Sequence, residues 1–401
     1  NEEGILYYDK VLNLSKDIEV LSMSLLNKGL IYFNEEDFER SILCLKEVVE
    51  EYPRTVSFLS AKIGLKDAYL QKGSVDEYLL YINEIPQLDI SISEKDSLSY
   101  KAAYNRFNKA EYYDSKIQFK SYLENFGESS IFYKQTLYYY GESCWKTKDT
   151  LLAIESFKKV VDLGVSVFYE PSLVKICRYY YDIKDIKLSN KYYQMLDSSA
   201  SSNGLKRESV VRLMFGFENS NEKLAVSYAN RVLKSSKLND RLVARSKLII
   251  ARNDFSNGNF ARSSSIIDEI VALTKNMDGS EAMYMKSYFT FLNEDYTKTE
   301  ELVFQLAEEY SSNHWIAKGF VLLSDVYVKQ ENNYQAKATL ESIIENHDGE
   351  EVVNEAKFKW EQIIEKEQIK KKNEVEEASI IIGDTLDYRI IYSDLQIEEE
   401  F

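Results

Sequence analysis

Residues 29–45, GLIYFNEEDFERSILCL, read as the end of one helix, a tight turn and the start of a second. Gly29 leaves room for another helix to cross close by, and Tyr32 and Phe33 add apolar bulk. Asn34 to Glu36 is polar, and Asp37 can accept the free backbone N–H groups that open the second helix. Phe38, Ile42 and Leu45 then recur at helical spacing, with small Ser41 between them.

The block returns along the chain as a small residue, an aromatic four later, Asp or Asn four after that, then a small and an apolar residue at further steps of four. Gly141, Trp145, Asp149, Ala153 and Phe157 fit, as do Cys177, Tyr181, Asp185, Ser189 and Tyr193. Ala251, Phe255, Asn259, Ser263 and Ile267 repeat the series, followed by Ser287, Phe291, Asp295, Thr299 and Val303. Looser copies run from Ala103 to Phe119, Leu213 to Ala229 and Ser324 to Leu340. First positions 141, 177, 213, 251, 287 and 324 are 36–38 residues apart, a helical-hairpin period. A degenerate copy falls on residues 61–82, AKIGLKDAYLQKGSVDEYLLYI.

Gly29, Tyr32, Phe38, Leu45 and Pro53, and again Gly141, Ala153 and Phe157, resemble the tetratricopeptide (TPR) pattern. The family repeat is about 34 residues, so these units exceed it by a few. The resemblance implies an all-α, right-handed solenoid of about nine hairpins that binds other proteins. The long period, abundant Tyr and acidity also resemble large TPR proteins of the Gram-negative cell envelope, where such arrays scaffold outer-membrane assembly and secretion. That implies a periplasmic or envelope setting, with a cytoplasmic one as the alternative.

Three Pro in 401 residues suit long helices, and 31 Tyr suit a thin core whose rings reach water at the edge. A net charge of −16 argues against nucleic-acid binding, which needs a basic surface. It favours a basic or neutral protein partner. The basic run Lys370–Lys372 is flanked by Glu and reads as a solvated helix face. Cys44, Cys144 and Cys177 stand on or beside apolar repeat positions and read as buried small hydrophobes. No apolar run is long enough to span a membrane, so membrane association is expected only through partners.

Residues 1–16 read as the second helix of a hairpin whose first helix lies upstream, making the chain the C-terminal part of a longer protein. One continuous array is expected over residues 1–347, with polar inter-unit connections such as a longer one at 197–204. A capping helix is expected over 348–378 and an extended or β-like acidic tail over 379–401.

The sequence carries no phosphate loop, nucleophile elbow or HExxH helix, and His314 and His347 are expected in inter-unit loops. The expectation is a non-enzyme without cofactor or metal. An aromatic ladder, Phe33, Phe107, Trp145, Tyr181, Phe217, Phe255 and Phe291, recurs in nearly every unit and is best explained by packing. Candidate partner-binding residues are Tyr100, Tyr104, Tyr138, Tyr139 and Trp145, with Ile381, Ile390 and Tyr392 in the tail. The function expected is a scaffold or adaptor in a multi-subunit envelope complex; the alternative is a ligand- or peptide-sensing TPR regulator.

Overall fold

A computed structural model describes residues 2–85, 88, 90–235 and 238–395; the side chains of 76, 83 and 375–395 lie outside that description. The chain divides into two compact units, residues 1–209 and 210–401.

The first unit opens with α1 (Glu2–Leu14), packed on α2. Hairpins follow: α2 (Ile18–Asn34) with α3 (Phe38–Glu51), α4 (Ser57–Lys72) with α5 (Val75–Glu84), and α6 (Ile92–Asn108) with α7 (Tyr112–Phe126). Next come α8 (Tyr133–Lys146) with α9 (Thr150–Asp162), and α10 (Tyr169–Asp182) with α11 (Ile186–Ser199). The division falls inside α12 (Asn203–Phe217), whose sequel is α13 (Glu222–Leu233). The second unit continues with α14 (Asp240–Ser256) and α15 (Phe260–Leu273), α16 (Met277–Leu292) and α17 (Tyr296–Glu309), and α18 (Asn313–Lys329) and α19 (Asn333–Asn346). It closes with α20 (Glu350–Leu395). From α2 to α19 this makes nine hairpins among the described residues, without a strand.

One turn closes eight of the nine. A residue with positive φ ends the first helix: Glu36, Gly73, Ala110, Lys148, Lys184, Gly258, Glu294 or Glu331. Its amide and the next one reach back to the last turn of the helix, as when Lys184 N–H bonds to Tyr181 O (3.1 Å) and Asp185 N–H to Tyr180 O (2.9 Å). The following residue caps the second helix. Asp37, Asp185, Asp295 and Asn332 each accept the N–H three residues on.

The small residues stand where helices cross. A Cβ on Gly29 would lie 2.9 Å from Leu45, and one on Gly141 would lie 2.8 Å from Phe157. Ser115 and Ser263, both buried, donate across the hairpin to Ala103 O (3.2 Å) and Ala251 O (2.8 Å). The aromatic ladder is largely a turn staple. Phe33, Phe107, Phe255 and Phe291 each touch the aromatic that opens the next helix, Phe38, Tyr112, Phe260 and Tyr296. Cys44, Cys144 and Cys177 are buried and free, and burial raises all three thiols, Cys177 to about 12.

Several expectations need correction. The extended tail from Ser379 is not seen, because the backbone stays helical to Leu395; 396–401 lie outside the described residues. No Pro interrupts this stretch, and Gly383 costs a helix only about 1 kcal/mol. The connection near 197–204 is only residues 200–202, since Asp197 to Ser199 extend α11 and Ala200 is buried. His314 lies in the first turn of α18 rather than in a loop, against Trp315. The degenerate copy at 61–82 is a full hairpin, α4–α5, with Gly73 in its turn.

Candidate protein-binding face

Within each unit, first helices touch one another: α2 meets α4, α4 meets α6 and α6 meets α8, while α14 meets α16 and α16 meets α18. Among the described residues second helices make no comparable contacts with one another, so the first helices line the tighter side of each unit.

In the first unit, α6 to α9 and the residue before α10 bring together a sheet of rings. Phe119, Tyr122 and Phe157 form its floor, fully buried. Tyr100, Tyr104, Phe107, Phe132, Tyr138, Tyr139 and Phe168 lie above them, half-buried. Tyr100 stacks on Phe132 (4.4 Å between centroids) and on Tyr104 (5.8 Å). Tyr139 meets Tyr104 edge-on at 4.9 Å and Phe107 at 5.1 Å; Tyr138 lies 4.8 Å from Phe168. The spacing explains the meeting, because Tyr100 and Tyr104 are one turn apart on α6 while Tyr138 and Tyr139 occupy the adjacent first helix.

A buried acid anchors the sheet. Asp96 accepts from the Tyr122 hydroxyl and from Ile131 N–H (2.9 Å), and Phe132 N–H donates to the Tyr122 oxygen (3.2 Å). These bonds fix the start of α8 and hence Phe132. Burial pushes the phenols of Tyr122, Tyr138 and Tyr139 up to about 12 and raises Tyr100 as well, so each stays a neutral hydrogen-bonding group at physiological pH.

The four tyrosines singled out in the sequence therefore come together. Trp145 stands apart on α8, beneath the Lys175 ammonium (4.8 Å), which also pairs with Glu142 (3.3 Å). Ile381, Ile390 and Tyr392 lie on α20 where only the backbone is described. The rings Phe132 and Phe168 escaped sequence reading because they sit at helix starts, outside the repeated block.

Sequence reading also missed ion pairs that tie one first helix to the next. Lys66 meets Glu94 and Arg178 meets Glu208 in the first unit. In the second, the barely exposed Glu218 accepts both Arg245 and Arg252, which continue to Asp278 and Glu281 on α16. Burial alone would lower the Arg252 pKa, but Glu281 and Glu218 reverse the sign and raise it. The α12–α13 turn is the one hairpin turn without a positive-φ residue, and it is the turn that supplies Glu218. A further groove of about 680 Å³ opens between α17 and α19 over α18, lined by Phe304, Ile316, Phe320, Tyr327, Ile343 and His347. Among the described residues no group of three His, Cys, Asp or Glu is placed to hold a metal. No described helix is long and apolar enough to cross a membrane.

Residues 24–55, spanning most of α2 and all of α3, match the sequence profile of the tetratricopeptide repeat. That one hairpin is a tetratricopeptide repeat. No curated protein sequence matches the chain. Among solved structures, the chain is similar to the apo quorum sensor NprR from B. thuringiensis, at 12% identity over 77% of this chain and 94% of that one, with a TM-score of 0.40. It is similar to yeast Tom70 at 12% identity over 91% and 92%, with a TM-score of 0.36. It is also similar to a tetratricopeptide repeat protein from Parabacteroides merdae at 12% identity over 67% and 98%, with a TM-score of 0.33.

Proposed function

We propose that this TPR chain is a non-catalytic scaffold that docks another protein on the tyrosine-rich side of α6 and α8. The observation that supports it is the two-layered ring sheet. Rigid aromatics on a buried floor lose little conformational entropy on binding, and their neutral hydroxyls add hydrogen bonds at the rim. We place that partner in a multi-subunit cell-envelope complex, on the sequence resemblance alone. The test is affinity isolation from native membranes with the unaltered chain and with the Tyr104→Ser/Tyr138→Ser variant. A stoichiometric protein retained by the first and lost by the second supports the reading. Equal recovery by both, with the variant still folded, defeats it.

The groove over α18 favours a second reading, a TPR regulator that senses a ligand or peptide. Its volume, about 680 Å³, lies in the range of small-molecule sites. A saturable rise in Tm with a small-molecule extract, abolished by Ala338→Trp in the groove wall, would favour this reading over the scaffold.

A further inference from the structure

The groove over α18 owes its chemistry to a face of α19 that α15 and α17 do not repeat. Its floor is the stripe Ile316, Phe320, Leu323 and Tyr327 on α18. One side is closed by Phe304 of α17, which meets Phe320 edge-on at 6.1 Å. The other wall is the face of α19 that carries Gln335, Ala338, Ser342 and Asn346. One period earlier, the same places on α17 hold Lys298, Glu301, Gln305 and Glu309. On α15 they hold Arg262, Ser265, Glu269 and Leu273. The long charged side chains are gone from α19. No Lys, Arg, Asp or Glu lines the groove, in a chain that is 29% charged. Tyr327 donates its hydroxyl to Glu300 (2.8 Å), and burial pushes the phenol up to about 12, so this ring is neutral as well.

The dimensions select the shape of an occupant. Asn313 and Tyr327 mark the ends of the groove on α18, about 21 Å apart along the helix. A volume of about 680 Å³ over that length leaves a mean cross-section of about 30 Å². A helix is about 10 Å across and would rest on such a slot rather than enter it. An extended chain enters it, and about six residues at about 3.3 Å each span its length.

The α19 wall selects the chemistry. Asn346 donates its Nδ2 to Ser342 O (2.9 Å), which leaves its side-chain oxygen as an acceptor. Gln335 accepts from Asn332 through Oε1, which leaves its amide N–H groups as donors. An alkyl chain would strand these groups against hydrocarbon, whereas a peptide backbone brings an N–H and a C=O with almost every residue. A charged side chain, or the charged end of a short free peptide, would be desolvated there with no counter-charge to meet it. A segment inside a longer chain brings neither.

We propose that the groove binds an uncharged, extended segment of about six residues from within another protein, its apolar side chains on the α18 floor. This names the occupant for the ligand- or peptide-sensing reading and rests on that reading.

Affinity selection read by mass spectrometry tests this on the full chain. The probe is a pool of hexapeptides of Ala, Val, Leu, Phe, Ser and Asn, acetylated and amidated at their ends. The expected result is saturable retention of a subset of the pool, weakened at least tenfold by Ala338→Trp. Leu43→Glu, on α3 of the first unit, should leave retention unchanged. The retained peptides should bind at least tenfold more weakly with free termini, or with one residue changed to Asp or Lys. Circular dichroism checks that Ala338→Trp is folded, and Ser342→Trp, exposed on the same wall, serves if it is not. Equal retention by the groove variants, or of the charged peptides, overturns the proposal. A pool ignored by the chain while a small-molecule extract still raises Tm overturns the peptide and leaves the sensing reading in place. Failure of both probes removes the two together.

Discussion

Replacing Lys184 by Gly should stabilise the chain, because glycine suits the left-handed position that ends a helix. Lys184 holds φ at +62°, and its side chain is exposed. An L-residue in the left-handed region costs about 1–2 kcal/mol, which glycine avoids. Against that, glycine widens the unfolded ensemble and gives back about 0.4–1 kcal/mol. The balance is about 0.5–1 kcal/mol in favour of Lys184→Gly. Glu36, Ala110 and Lys148 occupy the same turn in other hairpins of the first unit, far enough apart for their effects to add. The fourfold glycine variant should therefore gain about 2–4 kcal/mol in that unit. For a unit of this size that raises its Tm by about 5–15 °C. Urea titration followed by circular dichroism reads the shift as a higher midpoint at unchanged slope. Gly258→Ala is the control, because a Cβ there meets nothing within 4 Å and only its φ of +78° is at stake; it should lose about 1 kcal/mol. Gly73→Ala should lose more, since its Cβ would fall 2.2 Å from Arg106 Nε. If Lys184→Gly lowered stability by as much as Gly258→Ala does, the turn would not be the strained element described.

Gly141→Ala should destabilise by about 1–2 kcal/mol, as overpacking against Phe157 outweighs the gain in helix propensity; Phe157→Leu should recover part of it, read by thermal melting. Arg252→Met should cost about 3 kcal/mol because it strands the buried Glu281, whereas Arg252→Met/Glu281→Met should regain most of that in a double-mutant cycle. Alkaline pH should also unfold the chain. The phenols of Tyr122, Tyr138 and Tyr139 are raised from 10 to about 12 in the folded state, so their contribution is complete below pH 10 and lost as pH climbs towards 12. Absorbance at 295 nm against pH should show a late-titrating class of tyrosines that merges with the unfolding transition.

What could be read from sequence was whatever repeats locally. Gly29 and Leu45, or Gly141 and Phe157, lie sixteen residues apart in sequence and meet across one turn, so a single period exposes them. The left-handed turn was hidden because only Gly73 and Gly258 carry the residue that advertises it, while Glu, Lys and Ala fill the other six places. The four tyrosines were identifiable individually, but Phe132 and Phe168, which complete their sheet, stand at irregular helix starts. Ion pairs such as Arg245 with Asp278 join residues 33 positions apart among many equivalent charges, and nothing local distinguishes them. The β-branched run Ile380–Ile382 suggested an extended tail, but a helix already propagating from Glu350 needs only one hydrogen bond per added residue to continue.

The docking face is tested most directly by a photo-crosslinking amino acid placed at position 104, on the ring sheet, or at position 113, an exposed tyrosine on the second helix α7. Irradiation in native cells should give one discrete crosslinked protein from position 104, abolished by Tyr138→Ser, and none from position 113. The same product from both positions, or a product from position 113 alone, would contradict the account.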